Sequence, residues 1–305
     1  MEYHMGNQDS SKSGRSIREQ PPRSINLFTR MAILLGGVIQ QMGWAFFGFG
    51  MLFFWIFVMN SEARYLLAFD GKWVETNGVL KNIAPTGSTV NDRRIYAYSF
   101  TFISKSGMQE GICYNSYRSE YQKPNQTVQV EYKEGNNKRA RIKGMSSSTF
   151  PSFVLFVVIF PLIGLGFLIS GLISNLKALR LLRDGHFTRG KLINKEATGT
   201  RINNNIVFKF TFEFDTAGGM KHQTTCATHQ TWKVEDEELE IILYDPSNPD
   251  HAVVYDAIPA APEIDPQGHL ESAPISSAGI FILPIISIVV NVILFYVFLI
   301  MCISI

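Results

Sequence analysis

The chain has 305 residues and a formal net charge of +2. It is long enough for two or three domains, and it lacks the basic excess expected of a protein that binds nucleic acid through its surface. The three cysteines are odd in number and lie in separate segments, which predicts no disulfide framework. Charge is absent from three long runs, since residues 31–61, 144–176 and 272–305 contain no Asp, Glu, Lys, Arg or His.

The first 30 residues are predicted to form a disordered tail, because residues 1–25 are rich in Ser, Gln, Pro and charge without apolar periodicity. A transmembrane helix is predicted at 31–60, since about 20 apolar residues cross the hydrocarbon layer. A buried soluble helix would carry a polar stripe, and a signal peptide would be shorter. Gln40 and Gln41 are predicted to bond neighbouring helices. The glycines that permit close helix approach are Gly36, Gly37, Gly43, Gly48 and Gly50.

A first β domain is predicted at 61–143, where alternating apolar runs are separated by Gly, Asn, Ser and Pro. Side chains on a strand point alternately to opposite faces. In IYAYSFTF the aromatic residues therefore share one face, which we expect to form the core: Tyr96, Tyr98, Phe100 and Phe102. The turn SKSGM carries Gly where a hairpin needs a positive φ.

A second transmembrane helix is predicted at 150–175, with an amphipathic extension to 184 in which Lys177, Arg180 and Arg183 alternate with leucines. Asp184 and Gly185 then end the helix, because glycine readily adopts the left-handed conformation.

A second β domain at 185–258 repeats the first domain at a fixed spacing of 112 residues. This offset carries Gly78 onto Gly190 and IYAYSFTF onto VFKFTFEF, which predicts that one unit was duplicated. The expected core residues of the second copy are Phe208, Phe210, Phe212 and Phe214. The same offset places Cys113 on Thr225, so the copies are expected to share no cysteine position. Each copy should form a small antiparallel barrel or sandwich, a choice that periodicity leaves open.

The chain is predicted to end with a Pro-rich linker at 259–275 and a third transmembrane helix at 279–303. This helix contains Asn291, which is predicted, like Gln40 and Gln41, to bond neighbouring helices. Before the linker, YDPSNP places Asp245 and Asn248 before prolines, a pattern that favours turns in which the Asx side chain bonds the backbone. We therefore interpret this motif as the end of a strand.

The second copy resembles the uncharacterised bacterial membrane proteins that carry the domain of unknown function DUF3592. The resemblance lies in LLRDGHFTRGKLINK, in the aromatic strand that ends at Phe214 with Gly218 and Gly219 after it, and in YDPSNP. In the first copy YKEGNN stands where the last motif would be, so Lys133 and Glu134 replace Asp245 and Pro246. The resemblance implies a membrane-anchored β domain with no established activity.

Candidates for chemistry are few. His222, Cys226 and His229 form the only cluster of soft ligands, but on a regular strand His229 points away from the other two and a fourth ligand is missing, which argues against zinc. The acidic run from Glu235 to Glu238 is typical of a solvated loop. No P-loop, nucleophile elbow or HExxH motif occurs. The sequence therefore predicts no catalytic, metal or cofactor-binding residue, and a protein that is not an enzyme.

Three crossings would put the two β domains on opposite sides of the membrane. The Lys and Arg bias near the spans favours a cytoplasmic amino terminus, with the first β domain outside and the second inside. We expect a multi-pass protein of the inner (plasma) membrane that contacts lipid and binds protein partners or a second copy through its β domains. The alternative is an oligomeric small-solute transporter or channel built around Gln40, Gln41 and Asn291.

Overall fold

The computed structural model describes residues 17–61, 71–117, 123–150, 156–235 and 238–303. The α-helices are α1 (Leu27–Leu35), α2 (Val38–Met59), α3 (Ile159–Asp184) and α4 (Ile282–Ile303). The first five strands are β1 (Trp73–Val90), β2 (Arg93–Ser104), β3 (Gly107–Asn115), β4 (Thr127–Lys133) and β5 (Asn136–Ile142). The next five are β6 (His186–Ile202), β7 (Asn205–Asp215), β8 (Lys221–Thr228), β9 (Glu240–Asp245) and β10 (Asn248–Val254).

Three helical segments are long and apolar enough to cross a membrane: Val38–Met59, Phe156–Asp184 and Ile275–Cys302. At most 22% of the most apolar stretch of each is buried inside the protein. By length and composition this agrees with the three predicted spans. The third begins with a 3₁₀ helix, Ile275–Phe281, that continues into α4.

The first predicted span is not one continuous helix. Helix α1 begins at Leu27, where the side chain of Asn26 accepts a hydrogen bond from the backbone N–H of Thr29, and it ends at Leu35. The chain then breaks at Gly36 and Gly37 before α2 begins. Gly37 has a φ of +83°, which a residue with a side chain rarely adopts. The prediction of a single helix over 31–60 was therefore wrong, because apolar composition cannot reveal a local change of backbone direction.

The prediction of a disordered tail was wrong for residues 17–30, whereas residues 1–16 lie outside the described part of the chain. Ile17 and Ile25 are buried in one apolar cluster with Leu181 and Leu182 of α3, and Arg23 is also buried. The prediction rested on the average composition of the tail, which gives little weight to the few apolar residues that cover the apolar face at the end of α3. The predicted linker at 259–275 is likewise packed, since Ile264 and Leu270 contact the same cluster and Ala273 is buried.

The two antiparallel sheets have the same strand order. Sheet A is ordered β3-β2-β1-β4-β5, and sheet B is ordered β8-β7-β6-β9-β10. Gly78 pairs with Phe102, and Gly190 pairs with Phe214. Both long hairpins have a bulge at the same place, after Leu80 and after Leu192. The offset of 112 residues therefore describes equivalent positions in the two central hairpins.

The cysteine prediction was wrong. Cys113 pairs with Tyr98 across β3 and β2, and Cys226 pairs with Phe210 across β8 and β7. Because Tyr98 and Phe210 are equivalent, so are the two cysteines. The turn between β7 and β8 is longer than its counterpart, and this difference shifts β8 by one residue relative to an ungapped comparison. Burial raises the pKa of both thiols to about 12.

The aromatic faces form the cores, as predicted. Tyr98, Phe100 and Phe102 are buried in sheet A with Tyr96 packed against them, and the corresponding residues of sheet B are buried likewise. Each sheet curls so that its outer strands meet. The Thr224 hydroxyl of β8 donates to the Ala252 carbonyl of β10 at 3.0 Å, which makes sheet B nearly a barrel.

The described residues divide into two compact units. Unit A comprises residues 46–163 and 287–303 and contains sheet A, whereas unit B comprises residues 17–45 and 164–286 and contains sheet B. The unit boundaries pass through α2, α3 and α4, so each of these helices contributes residues to both units.

Candidate polar site at the broken first helix

The break between α1 and α2 leaves backbone carbonyl groups without helical partners in an apolar setting, where each such group costs several kcal/mol. Asn175 of α3 supplies donors for two of them. Its side-chain N–H₂ group donates to the carbonyl oxygens of Leu34 at 3.2 Å and Gly36 at 3.0 Å. Asn175 is only 6% exposed, so these bonds are shielded from water. This residue was missed because Asn175 lies close to the charged end of α3.

Gln41 joins two further segments of unit B. Its side-chain N–H₂ group donates to the carbonyl oxygens of Leu35 at 2.7 Å and Ile280 at 3.0 Å. Ile280 belongs to the 3₁₀ helix that leads into α4. Asn175 and Gln41 together therefore bond residues of all three apolar segments, which agrees with the prediction that Gln41 bonds neighbouring helices.

Gln40 differs from Gln41. It is buried, and its side-chain oxygen has no hydrogen-bond partner within the described part of the chain. Gly171 of α3 packs directly against it, since a Cβ atom at Gly171 would lie 2.3 Å from this oxygen and 3.2 Å from the Gln40 Cα atom. The small size of Gly171 thus permits the close approach of α3 that encloses the Gln40 amide.

Asn291 of α4 has different partners from the two glutamines. In unit A, its side-chain oxygen accepts a hydrogen bond from the Trp55 indole N–H at 3.0 Å, and its N–H₂ group donates to the Ser287 carbonyl at 2.7 Å. The helices approach closely one turn away, where a Cβ atom at Gly48 would lie 2.6 Å from the Ser287 hydroxyl oxygen. Asn291 therefore bonds α2 to α4, as the sequence predicted.

The soft-ligand cluster does not assemble. His222 lies 3.0 Å from an Asp250 carboxylate oxygen and stacks on Phe214, while Cys226 packs against the sheet B core. In the described residues, no group of three or more His, Cys, Asp or Glu side chains is placed to hold a metal ion. Of the acidic run, Glu235 forms a salt bridge with Lys195 at 2.7 Å, and Asp236 and Glu237 lie outside the described residues.

Two further residues have structural roles. Asp245 accepts hydrogen bonds from the backbone N–H of Ser247 at 2.9 Å and from its hydroxyl at 2.5 Å, and these bonds lower the Asp245 pKa. Strand β9 ends at Asp245, which confirms that YDPSNP ends a strand. Arg23 was missed by sequence reasoning. Its guanidinium donates to the Leu182 carbonyl at the end of α3 at 2.9 Å, and burial lowers its pKa.

No protein-family model matches this chain, and no curated protein matches it. The resemblance to DUF3592 proteins therefore stays a prediction.

Proposed function

We propose that this chain is a non-enzymatic, multi-pass protein of the plasma membrane that presents two duplicated β domains, of the kind carried by bacterial DUF3592 proteins, to protein partners. The equivalent registers of sheets A and B support the duplication. The aromatic residues of each sheet are packed into a buried core, so the outer surfaces of the sheets are the parts that can meet a protein partner. Three crossings would place the domains on opposite sides of the membrane.

The observation that carries this proposal is an apolar patch on the outer face of sheet A. Ile103 and Met108 pair across β2 and β3, Ile112 lies on the same face of β3, and their exposed fractions are 67%, 75% and 53%. The equivalent positions of sheet B are all polar and exposed: Asp215, Lys221 and Thr225. The two sheets therefore have equivalent strand registers but differ in polarity at this patch. Exposed apolar patches are typical of protein interaction sites, so we assign partner binding to the first domain.

Photo-crosslinking in intact cells tests this assignment. A photoreactive phenylalanine analogue at position 108 should form a discrete protein adduct, whereas the same analogue at the equivalent position 221 should form none. Introducing Ile103→Asp, which copies the residue of sheet B, should reduce the adduct about tenfold or more, since burying an Ile side chain contributes roughly 1.5–3 kcal/mol.

The mass of the adduct identifies the occupant. Twice the mass of the chain means a second copy, and any other single mass means a different protein. An adduct at position 108 that survives Ile103→Asp, or equal adducts at positions 108 and 221, would refute the assignment.

Gln40 favours a second candidate, a transporter or channel for small solutes. A buried amide oxygen without a partner among the described residues, next to a broken helix, is the kind of group that lines a polar path through a membrane. A water-filled path would make position 40 reachable from the aqueous phase. The bonds of Gln41, Asn175 and Asn291 to neighbouring helices favour a structural role instead.

Labelling with a membrane-impermeant thiol reagent distinguishes the two candidates. In a Cys302→Ser background, a protein that only binds partners through its β domains should leave Gln40→Cys unlabelled in intact cells and in open membranes. Rapid labelling of Gln40→Cys would favour the transporter. Ser106→Cys and Gly218→Cys, at the tips of the two short hairpins, serve as exposed controls. Labelling of only one tip in intact cells would also support domains on opposite sides.

A further inference from the structure

A cleft of about 370 Å³ lies beside the carboxyl-terminal end of α3 in unit B. Three arginines and three apolar residues line it: Arg30, Arg180, Arg183, Ile25, Leu176 and Leu179. Apolar atoms form nearly all of its wall, so the aliphatic stems of the arginines line the cleft together with Ile25, Leu176 and Leu179.

The cleft lies at the level where the apolar helices meet water. Arg30 directly precedes the first charge-free run, and Leu176 is the last residue of the second. Leu176 is 48% exposed, so its side chain is open to whatever surrounds the helices. A molecule in this cleft would contact both the hydrocarbon edge and the polar boundary of a bilayer.

Two of the three guanidinium groups are available to a ligand. Arg183 donates to the Asp184 carboxylate at 2.8 Å. For Arg30 and Arg180 there is no salt bridge and no side-chain hydrogen bond within the described residues. Arg180 interacts electrostatically with Asp184 and Asp245, but these carboxylates bond Arg183 and Ser247.

We propose that this cleft holds an acyl chain of an anionic phospholipid along Leu176 and Leu179, while the exposed side chains of Arg30 and Arg180 bind its headgroup phosphate. The guanidinium fork matches the geometry of phosphate oxygens. Basic pockets between transmembrane helices are known to bind anionic headgroups. The aliphatic wall distinguishes a lipid from a free phosphate ion, because only the lipid gains from covering the two leucines.

The test uses the full-length protein in detergent, titrated with phosphatidylglycerol and observed by native mass spectrometry. One lipid should be retained, and the double variant Arg30→Gln/Arg180→Gln should bind it at least about tenfold more weakly, since each basic residue at an anionic surface contributes severalfold. The matched control Arg201→Gln/Lys209→Gln removes two exposed positive charges from sheet B and should retain the lipid.

Three results would overturn the proposal. They are equal weakening in the control variant, equally tight retention of phosphatidylcholine, and displacement of the lipid by millimolar inorganic phosphate. A measurement on the unaltered chain covers the case in which the variant misfolds. A photoactivatable phosphatidylglycerol should label peptides that contain residues 25–30 or 176–183, and labelling confined to other segments would also overturn the proposal.

Discussion

Phe100→Ala should destabilise the first β domain by about 3–5 kcal/mol, the usual cost of removing a buried phenylalanine ring. Phe100 is 1% exposed, and its ring covers Gly111 on the neighbouring strand, where a Cβ atom would lie 2.5 Å from the ring. No side chain at Gly111 can fill the space that the substitution leaves. We therefore expect the urea midpoint of this domain to fall by about 1–5 M, given a slope of roughly 1–3 kcal/mol per M.

Cys113 reports on this unfolding without further substitution. Burial raises its pKa from 9.0 to about 12, so at pH 8 the folded thiol should resist alkylation and the unfolded thiol should react. Because the folded pKa is the higher one, the stability that Cys113 contributes is complete below pH 9 and is lost as the pH rises toward 12. The control is Ile103→Ala on the same strand, an exposed position that should change stability by about 0.5 kcal/mol or less. Equal midpoints for both variants would contradict the packing described for Phe100.

Asn175→Leu should destabilise the helices of unit B by about 1–3 kcal/mol, because it leaves the carbonyl groups of Leu34 and Gly36 without donors in a buried setting. The measurement is the temperature at which half of the detergent-purified protein is lost from the monodisperse peak in size-exclusion chromatography. We expect this temperature to fall by roughly 2–12 °C, since a domain of this size loses about 2–4 °C per kcal/mol.

Ser174→Leu provides the matched control for this prediction. Ser174 is the preceding residue of α3, and it is exposed. A leucine there faces outward, where it should leave the temperature unchanged or raise it slightly. If both variants lowered the temperature equally, the loss of stability would come from the added leucine volume and not from the lost hydrogen bonds of Asn175 to Leu34 and Gly36.

Much of the fold could be predicted because its main determinants are periodic. Alternating aromatic residues identified the inner faces of both sheets, and long charge-free runs identified the apolar helices. The equivalence of Cys113 and Cys226 could not be found at a fixed offset, because the turn between β7 and β8 adds one residue. The break at Gly36 and Gly37 was visible as a glycine pair, but glycines in an apolar run are equally compatible with close helix packing.

The polar site was less predictable because its residues are brought together by tertiary contacts. Gln41 and Asn291 stood out as polar residues within apolar runs, and both bond neighbouring helices. Asn175 was missed, since it lies next to Leu176 and Lys177 at the edge of its run and resembles an ordinary boundary residue. Arg30 and Arg180 are far apart in sequence, and no local pattern indicates that they line one cleft.

The packing of residues 17–30 has a consequence for the order of assembly during synthesis. Arg23 bonds Leu182, which follows it by 159 residues, and Asn26 bonds Ser272, which follows it by 246 residues. At roughly 5–20 residues per second, a ribosome needs about 12–50 s to synthesise the longer interval. Residues 17–30 leave the ribosome before these partners, so they cannot reach their final contacts until Ser272 has been made, and in the interval Ile17 and Ile25 lack the side chains that bury them.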